Sequence, residues 1–108
     1  LTRAIKLVET HMQDPDFDVN TFSHEMGFSR SQLLRKLKML TTLSPAEFIK
    51  DVRLKKAAML LEKTDMTVTQ ICYETGFNYP AHFTQLFQAK YSLSPTKYRR
   101  KHSLLNLN

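Results

Sequence analysis

The 108-residue chain has one cysteine, two glycines, four prolines and no tryptophan. A single thiol, Cys72, excludes an internal disulfide framework and a cysteine-based zinc cluster, and it fits a reducing compartment. So few glycines and prolines argue against a turn-rich β fold. No apolar run approaches the ~20 residues that cross a bilayer, and the N-terminus lacks the layout of a signal peptide. The four histidines, His11, His24, His82 and His102, fall at no metal-ligand spacing. There is no glycine-rich phosphate loop and no close pair of acids. No catalytic residue, metal or cofactor is therefore expected. The first residue is Leu1 rather than Met, so a piece of a longer protein is expected.

Apolar residues make up 42% of the chain, enough for a core and against disorder. The formal charge is +6, which suggests a polyanionic partner. The charge is uneven. Residues 1–28 hold Glu9, Asp14, Asp16, Asp18 and Glu25 against Arg3 and Lys6. Residues 29–58 hold eight bases and two acids, and after Glu74 there is no acid but five bases.

Periodicity and capping signals read as helices throughout. Leu1, Ile5, Val8 and Met12 predict a helix over 2–13, ended by "DPDFD". Asp18 caps a short helix that stops at Gly27. Ser29 with Gln32 is a capping box opening a helix to about Met39. Ser44-Pro45-Ala46-Glu47 opens a long helix to about Lys63. Thr67 with Gln70 opens the next helix, which Gly76 ends. Asn78 is the expected cap of the following helix, with Pro80 in its first turn. Ser94-Pro95 opens a last helix through Arg100, and 103–108 reads as a tail.

The order repeats. "GFSRSQLLRKLKMLTTLSP" from Gly27 is echoed by "GFNYPAHFTQLFQAKYSLSP" from Gly76. Positions correspond at an offset of 49 before the turn and 50 after it, so one residue is added near Tyr79-Pro80. In the long helix, Phe48, Ile49 and Val52 cluster on one side and Leu54, Ala57, Ala58 and Leu61 on another, at ~100° per residue. One helix thus serves two small units, and Lys50, Asp51, Lys55 and Lys56 argue against burial all round.

Each unit is a short helix, a glycine turn and a second helix, the arrangement whose second helix enters a DNA major groove. In the first copy Leu33, Leu37 and Leu40 form the expected core stripe, with Ser31, Leu34, Arg35 and Lys38 opposite. In the second, Phe83 and Phe87 anchor the core, with Ala81, Thr84, Gln85 and Gln88 opposite. These eight are the candidate base readers. Arg35 can bond guanine O6 and N7, Lys38 guanine or phosphate, and Gln85 adenine; Ala81 and the Thr84 methyl can meet thymine methyls. Leu34 either meets a methyl or packs the helix flank.

Thr21, Ser29, Thr69 and Asn78, near helix starts, are candidate neutral phosphate contacts. Arg30 and Lys36 are candidate cationic ones, His82 lies beside the reading face, and Lys97 and Arg100 add charge to the second site. Ordinary capping or solvation is the alternative for each. Cys72 is expected in the core rather than as a nucleophile.

The duplicated motif, the linking "RLKKAAMLL" and the run "TVTQICYETGFNYPAHFTQLFQAKYSLSPTKYRR" resemble the DNA-binding domain of AraC/XylS transcription regulators over about residues 3–101. "MGFSRSQLLRKLKMLTTLSPAEFI" is most similar to the version at the C-terminus of hybrid two-component regulators. The resemblance implies an all-α fold of seven helices, with a first subdomain over about 1–45, a linking helix over 45–63 and a second subdomain over 64–102. It implies two adjacent major-groove segments read by one chain. Its base-reading positions fall on Ser31, Leu34 and Arg35, and on Ala81, Thr84 and Gln85.

Leu34 and Gln85 depart from the common pattern, which leaves base-specific contact there open. Thr42 and Ser92 stand where the family commonly has glycine, with little functional effect expected. The resemblance also implies double-stranded DNA and RNA polymerase as partners and dimerisation through segments outside this chain. It implies a cytoplasmic location without membrane contact by this fragment, the whole protein being anchored in an inner membrane. A basic helical module that docks an acidic protein is the competing reading.

Overall fold

The computed structural model describes residues 1–103. Seven helices follow in order: α1 (Thr2–Thr10), α2 (Val19–Met26), α3 (Arg30–Thr41), α4 (Pro45–Lys63), α5 (Val68–Glu74), α6 (Pro80–Tyr91) and α7 (Pro95–His102). No strand occurs among the described residues. The chain forms two compact units that divide between Arg53 and Leu54, within α4. The expected tail lies outside the described residues apart from Ser103, which ends α7 by donating its N–H to the Arg99 carbonyl at 2.8 Å.

In the first unit, Ala4, Val8, Met12, Phe17, Phe22, Leu33, Leu37, Phe48 and Ile49 form one apolar cluster, with Val52 packed against it. Phe17, Phe22 and Phe48 make ring contacts in series, tilted and then stacked, with centroids 5.9 and 5.8 Å apart. Two expectations about this core are corrected. α1 ends at Thr10, three residues early, and Leu1 and Ile5 are exposed while Ala4 is buried. A small residue under the helix permits close packing, and counting only large apolar residues overlooks it. Leu40 is 63% exposed, because α3 finishes at Thr41 and its last turn passes beyond the cluster.

Arg53 is the buried charge of this unit. Its Nη2 donates to the Asp14 carbonyl at 2.8 Å and its Nε has no partner. Burial lowers its pKa, with the Asp14 charge opposing. The bond fixes the loop after α1 onto α4.

In the second unit, Leu54, Ala57, Ala58, Leu61, Ile71, Cys72, Phe83 and Phe87 cluster. Cys72 is fully buried, as expected, and burial pushes its thiol pKa up. Phe77, Phe83, Phe87, Tyr91 and Tyr98 form a chain of ring contacts. α7 also closes the end of α4. Arg99 donates to the carbonyls of Leu61 and Thr64 at 3.1 and 3.2 Å, and Tyr98 donates to Glu62 Oε2 at 2.9 Å. A helix C-terminus leaves carbonyls without intrahelical donors, and a guanidinium there also meets the negative end of the helix dipole.

Candidate nucleic-acid interface

The turns that position α3 and α6 have the same construction. Gly27 and Gly76 adopt the left-handed conformation, with φ of 78° and 88°. Phe28 N–H donates to the Ser23 carbonyl and Phe77 N–H to that of Cys72, both at 3.0 Å. This is a Schellman-type ending, in which glycine takes positive φ without a Cβ clash and the next apolar residue folds onto the helix. Phe28 and Phe77 pack against their own clusters. Each turn therefore aims the following helix from a point fixed by a half-buried ring.

The helix starts differ. At α3, Ser29 Oγ accepts from the Gln32 N–H and Gln32 Oε1 from the Ser29 N–H, completing the expected capping box. At α6 the expected Asn78 cap is absent. Tyr79 is the N-cap residue, without a side-chain bond, and Pro80 is the first helical residue. Proline drives the residue before it into extended backbone, as Tyr79 shows with φ −128° and ψ 110°. Its missing N–H costs the helix nothing, since the first helical N–H has no intrahelical partner. Tyr79 itself is 71% exposed at the leading edge of α6. Sequence reasoning did not single it out, although it sits where the two copies lose register.

Both helices end alike, with Thr42 and Ser92 in left-handed backbone at φ 65° and 64°. The αL conformation crowds a Cβ and costs ~1–2 kcal/mol. Thr42, being β-branched, is the less suited.

The candidate readers sit at matching spacing on their helices. Leu33 and Leu37 are buried on α3, as are Phe83 and Phe87 on α6. Ser31, Leu34, Arg35 and Lys38 are exposed. Ala81, Gln85 and Gln88 are exposed and Thr84 is half-buried. Intervals of three, one and three residues place each set of four on one helix face.

The candidate phosphate contacts fall into distinct situations. Thr21 donates both its N–H and its hydroxyl to Asp18 Oδ1, at 2.9 and 3.1 Å, so its polar hydrogens are engaged by an exposed carboxylate. Those bonds hold the Asp18 pKa below its ordinary value. The Lys36 ammonium stands 5.1 Å from the Phe28 ring centroid, a cation–π contact at the turn. Ser29, Arg30, Thr69, Asn78, His82, Lys97 and Arg100 are exposed. No group of acids, histidines and cysteines that could hold a metal exists among the described residues, and none of their helices is long and apolar enough to cross a membrane.

Comparison with known proteins agrees with this geometry. Residues 22–101 match the family described as helix-turn-helix domain. A protein named histidine kinase P4, from Formosa agariphila, is 43% identical over 103 residues, which are 95% of this chain and 8% of that protein. The chain spans 26–36% of the other curated relatives. An AraC-type DNA-binding-domain protein from Chromobacterium violaceum superposes with a TM-score of 0.87 at 26% identity, covering 96% of this chain and 92% of that one. The DNA-binding domain of AdpA, solved with a target DNA, gives 0.82 at 26% identity over 93% and 89%. The chain belongs to the helix-turn-helix domain family and is an AraC/XylS-type DNA-binding domain of transcription regulators.

Proposed function

We infer that this domain reads double-stranded DNA at two neighbouring major-groove segments, with α3 and α6 as the reading helices. The observation that carries the reading is the pair of outward faces described above, each held by a buried apolar pair and the same glycine turn. The solved complex of the AdpA domain with its DNA supports it by likeness of fold and sequence.

In this reading Ser31, Arg35 and Lys38 face bases from α3, with Leu34 at the flank of that face, and Ala81, Thr84, Gln85 and Gln88 face them from α6. Arg35 reads guanine through two hydrogen bonds and Gln85 reads adenine. Arg30, Ser29, Asn78, His82, Thr69, Lys97 and Arg100 meet phosphate. Lys36 does so from its seat on Phe28, and Thr21 only by giving up its bonds to Asp18.

The similarity to a histidine kinase of much greater length supports a place as the cytoplasmic output domain of a hybrid two-component regulator. There, contact with RNA polymerase and dimerisation through other segments would turn DNA binding into regulation. Selection from random duplexes at two salt concentrations tests the reading. A bipartite motif with half-sites about one helical turn apart is expected. Salt-sensitive binding without sequence enrichment would favour a basic protein-docking module instead.

A further inference from the structure

Beside the outward face of α3 lies a cleft of about 270 Å³ within the first unit. It is lined by Val19 from α2, by Arg30, Ser31 and Leu34 from α3, and by Ser44, Pro45 and Ala46 at the start of α4. Leu34 is 42% exposed, and a leucine has no hydrogen bond to offer a base edge. Three apolar neighbours from two other helices make it the wall of a slot rather than an isolated methyl contact.

The position of the slot defines what meets it. Arg30 and Leu34 are four residues apart, at one margin of the face formed by Ser31, Arg35 and Lys38. A helix seated in the major groove turns its face to the bases and its margins to the sugar-phosphate strands. A strand presents apolar sugar rings alternating with anionic phosphates. The slot presents four apolar side chains, two serines and one cation, Arg30. Its volume is below the ~300–1,000 Å³ of sites for drug-sized ligands.

The Ser44 edge is unsuited to phosphate. Ser44 N–H donates to Glu47 Oε1 at 3.0 Å, and Ser44 Oγ accepts the Glu47 N–H at 3.2 Å. These bonds hold the Glu47 pKa low, so the carboxylate is charged near neutrality. Phosphate is thus directed to Arg30.

Resting on the DNA-reading function above, we propose that this cleft seats one deoxyribose of the strand bordering α3, with the adjoining phosphate on Arg30. The apolar side chains of Val19, Leu34, Pro45 and Ala46 suit the carbon face of a deoxyribose ring. The seat belongs to the first unit alone. At the matching positions of the second, Leu34, Ala46 and Arg30 become Thr84, Thr96 and Pro80, which removes the cation and makes two walls polar.

Hydroxyl-radical footprinting on a selected duplex tests this, because cleavage reports the exposure of individual sugars. Wild type is expected to protect one sugar beside the first half-site. Ala46→Met, an exposed helical position filled with a good helix former, should restore cleavage at that sugar, leave the rest of the footprint and weaken binding about fivefold. A thermal melt checks that the variant folds. If it does not, Val19→Thr, which sets a hydroxyl in the wall at nearly the same volume, should expose the same sugar. Unchanged protection in a folded variant, or no protected sugar at that site, overturns the seat while the reading function stands. A domain that prefers no duplex sequence removes both.

Discussion

At its turn the first unit pairs Phe28 N–H with Ser23, and the second pairs Phe77 N–H with Cys72, at the same 3.0 Å. Past the turn the chemistry separates. α3 carries Arg35 and Lys38 outward where α6 carries Gln85 and Gln88. The first core is mostly aliphatic around three phenylalanines, whereas the second continues as rings from Phe77 to Tyr98. The α2 cap is a carboxylate, Asp18, while the α5 cap is the neutral Thr67 in a full capping box. The helix-turn-helix geometry therefore rests on the few positions that set the turn and the buried pair. The outward positions vary without disturbing it, which lets one backbone be used twice for different base sequences.

The largest test of this comparison is in the cores. Phe83→Ala should cost about 3–5 kcal/mol and Leu33→Ala about 2–5 kcal/mol of unfolding free energy in urea, since both side chains are deleted from full burial. A much smaller loss at Phe83 would mean that the ring chain of the second unit relaxes around the deletion.

Next come the readers. Arg35→Ala is expected to weaken specific binding by about 1–3 kcal/mol and to relax preference at one base pair. Gln85→Ala should cost less and leave the salt dependence unchanged, because no charge is removed. Titrations of duplex at several salt concentrations separate the two. Equal losses with equal salt dependence would break the contrast between a charged reading face on α3 and a neutral one on α6.

The helix ends give a smaller effect, of opposite sign. Thr42→Gly should stabilise by about 0.5–1 kcal/mol, the relief of αL crowding being partly offset by glycine's backbone entropy. Ser92→Gly should gain less, since serine is not β-branched. Thermal melts would show the order.

A last effect is confined to alkaline solution. Burial and the Glu62 hydrogen bond push the Tyr98 pKa up to about 12, against ~10 in an unfolded chain. The folded state then keeps a proton that the unfolded state releases, so this contribution is complete below pH ~10 and is lost as pH rises through about 12. Tyr98→Phe should flatten stability over that range. The first unit has Phe48 at the corresponding position and no such dependence to lose.

Much of the fold is legible in the sequence because its signals are local. Ser29 with Gln32, Ser44 with Glu47 and Thr67 with Gln70 satisfy their own helix starts, so residue type and spacing suffice to find them. The two apolar sets of α4 appear in the two clusters as read. The misses depend on what lies beyond the helix. Whether Leu40 is covered depends on how far the cluster extends, and the repeat contained a clue, since its counterpart is Lys90. Pro80 outweighed Asn78 at α6 through backbone sterics that a search for capping side chains ignores. In the candidate site the outward faces follow from helical periodicity. The cleft beside Leu34 does not, because Val19, Pro45 and Ala46 come from helices whose approach no spacing encodes.

The bare start of α6 bears on how mutagenesis would apportion the work between the units. A side-chain deletion reports only contacts that side chains make. At α3 the first-turn hydrogen bonds run through Ser29 and Gln32, and replacing either one disturbs the helix start. At α6 no side chain caps the first turn, so Asn78→Ala or Tyr79→Ala would leave its backbone donors in place for a phosphate. An alanine scan would register the first unit in full and undercount the second. Replacing individual phosphates with uncharged methylphosphonates, on the DNA instead of the protein, would weigh both units on the same scale.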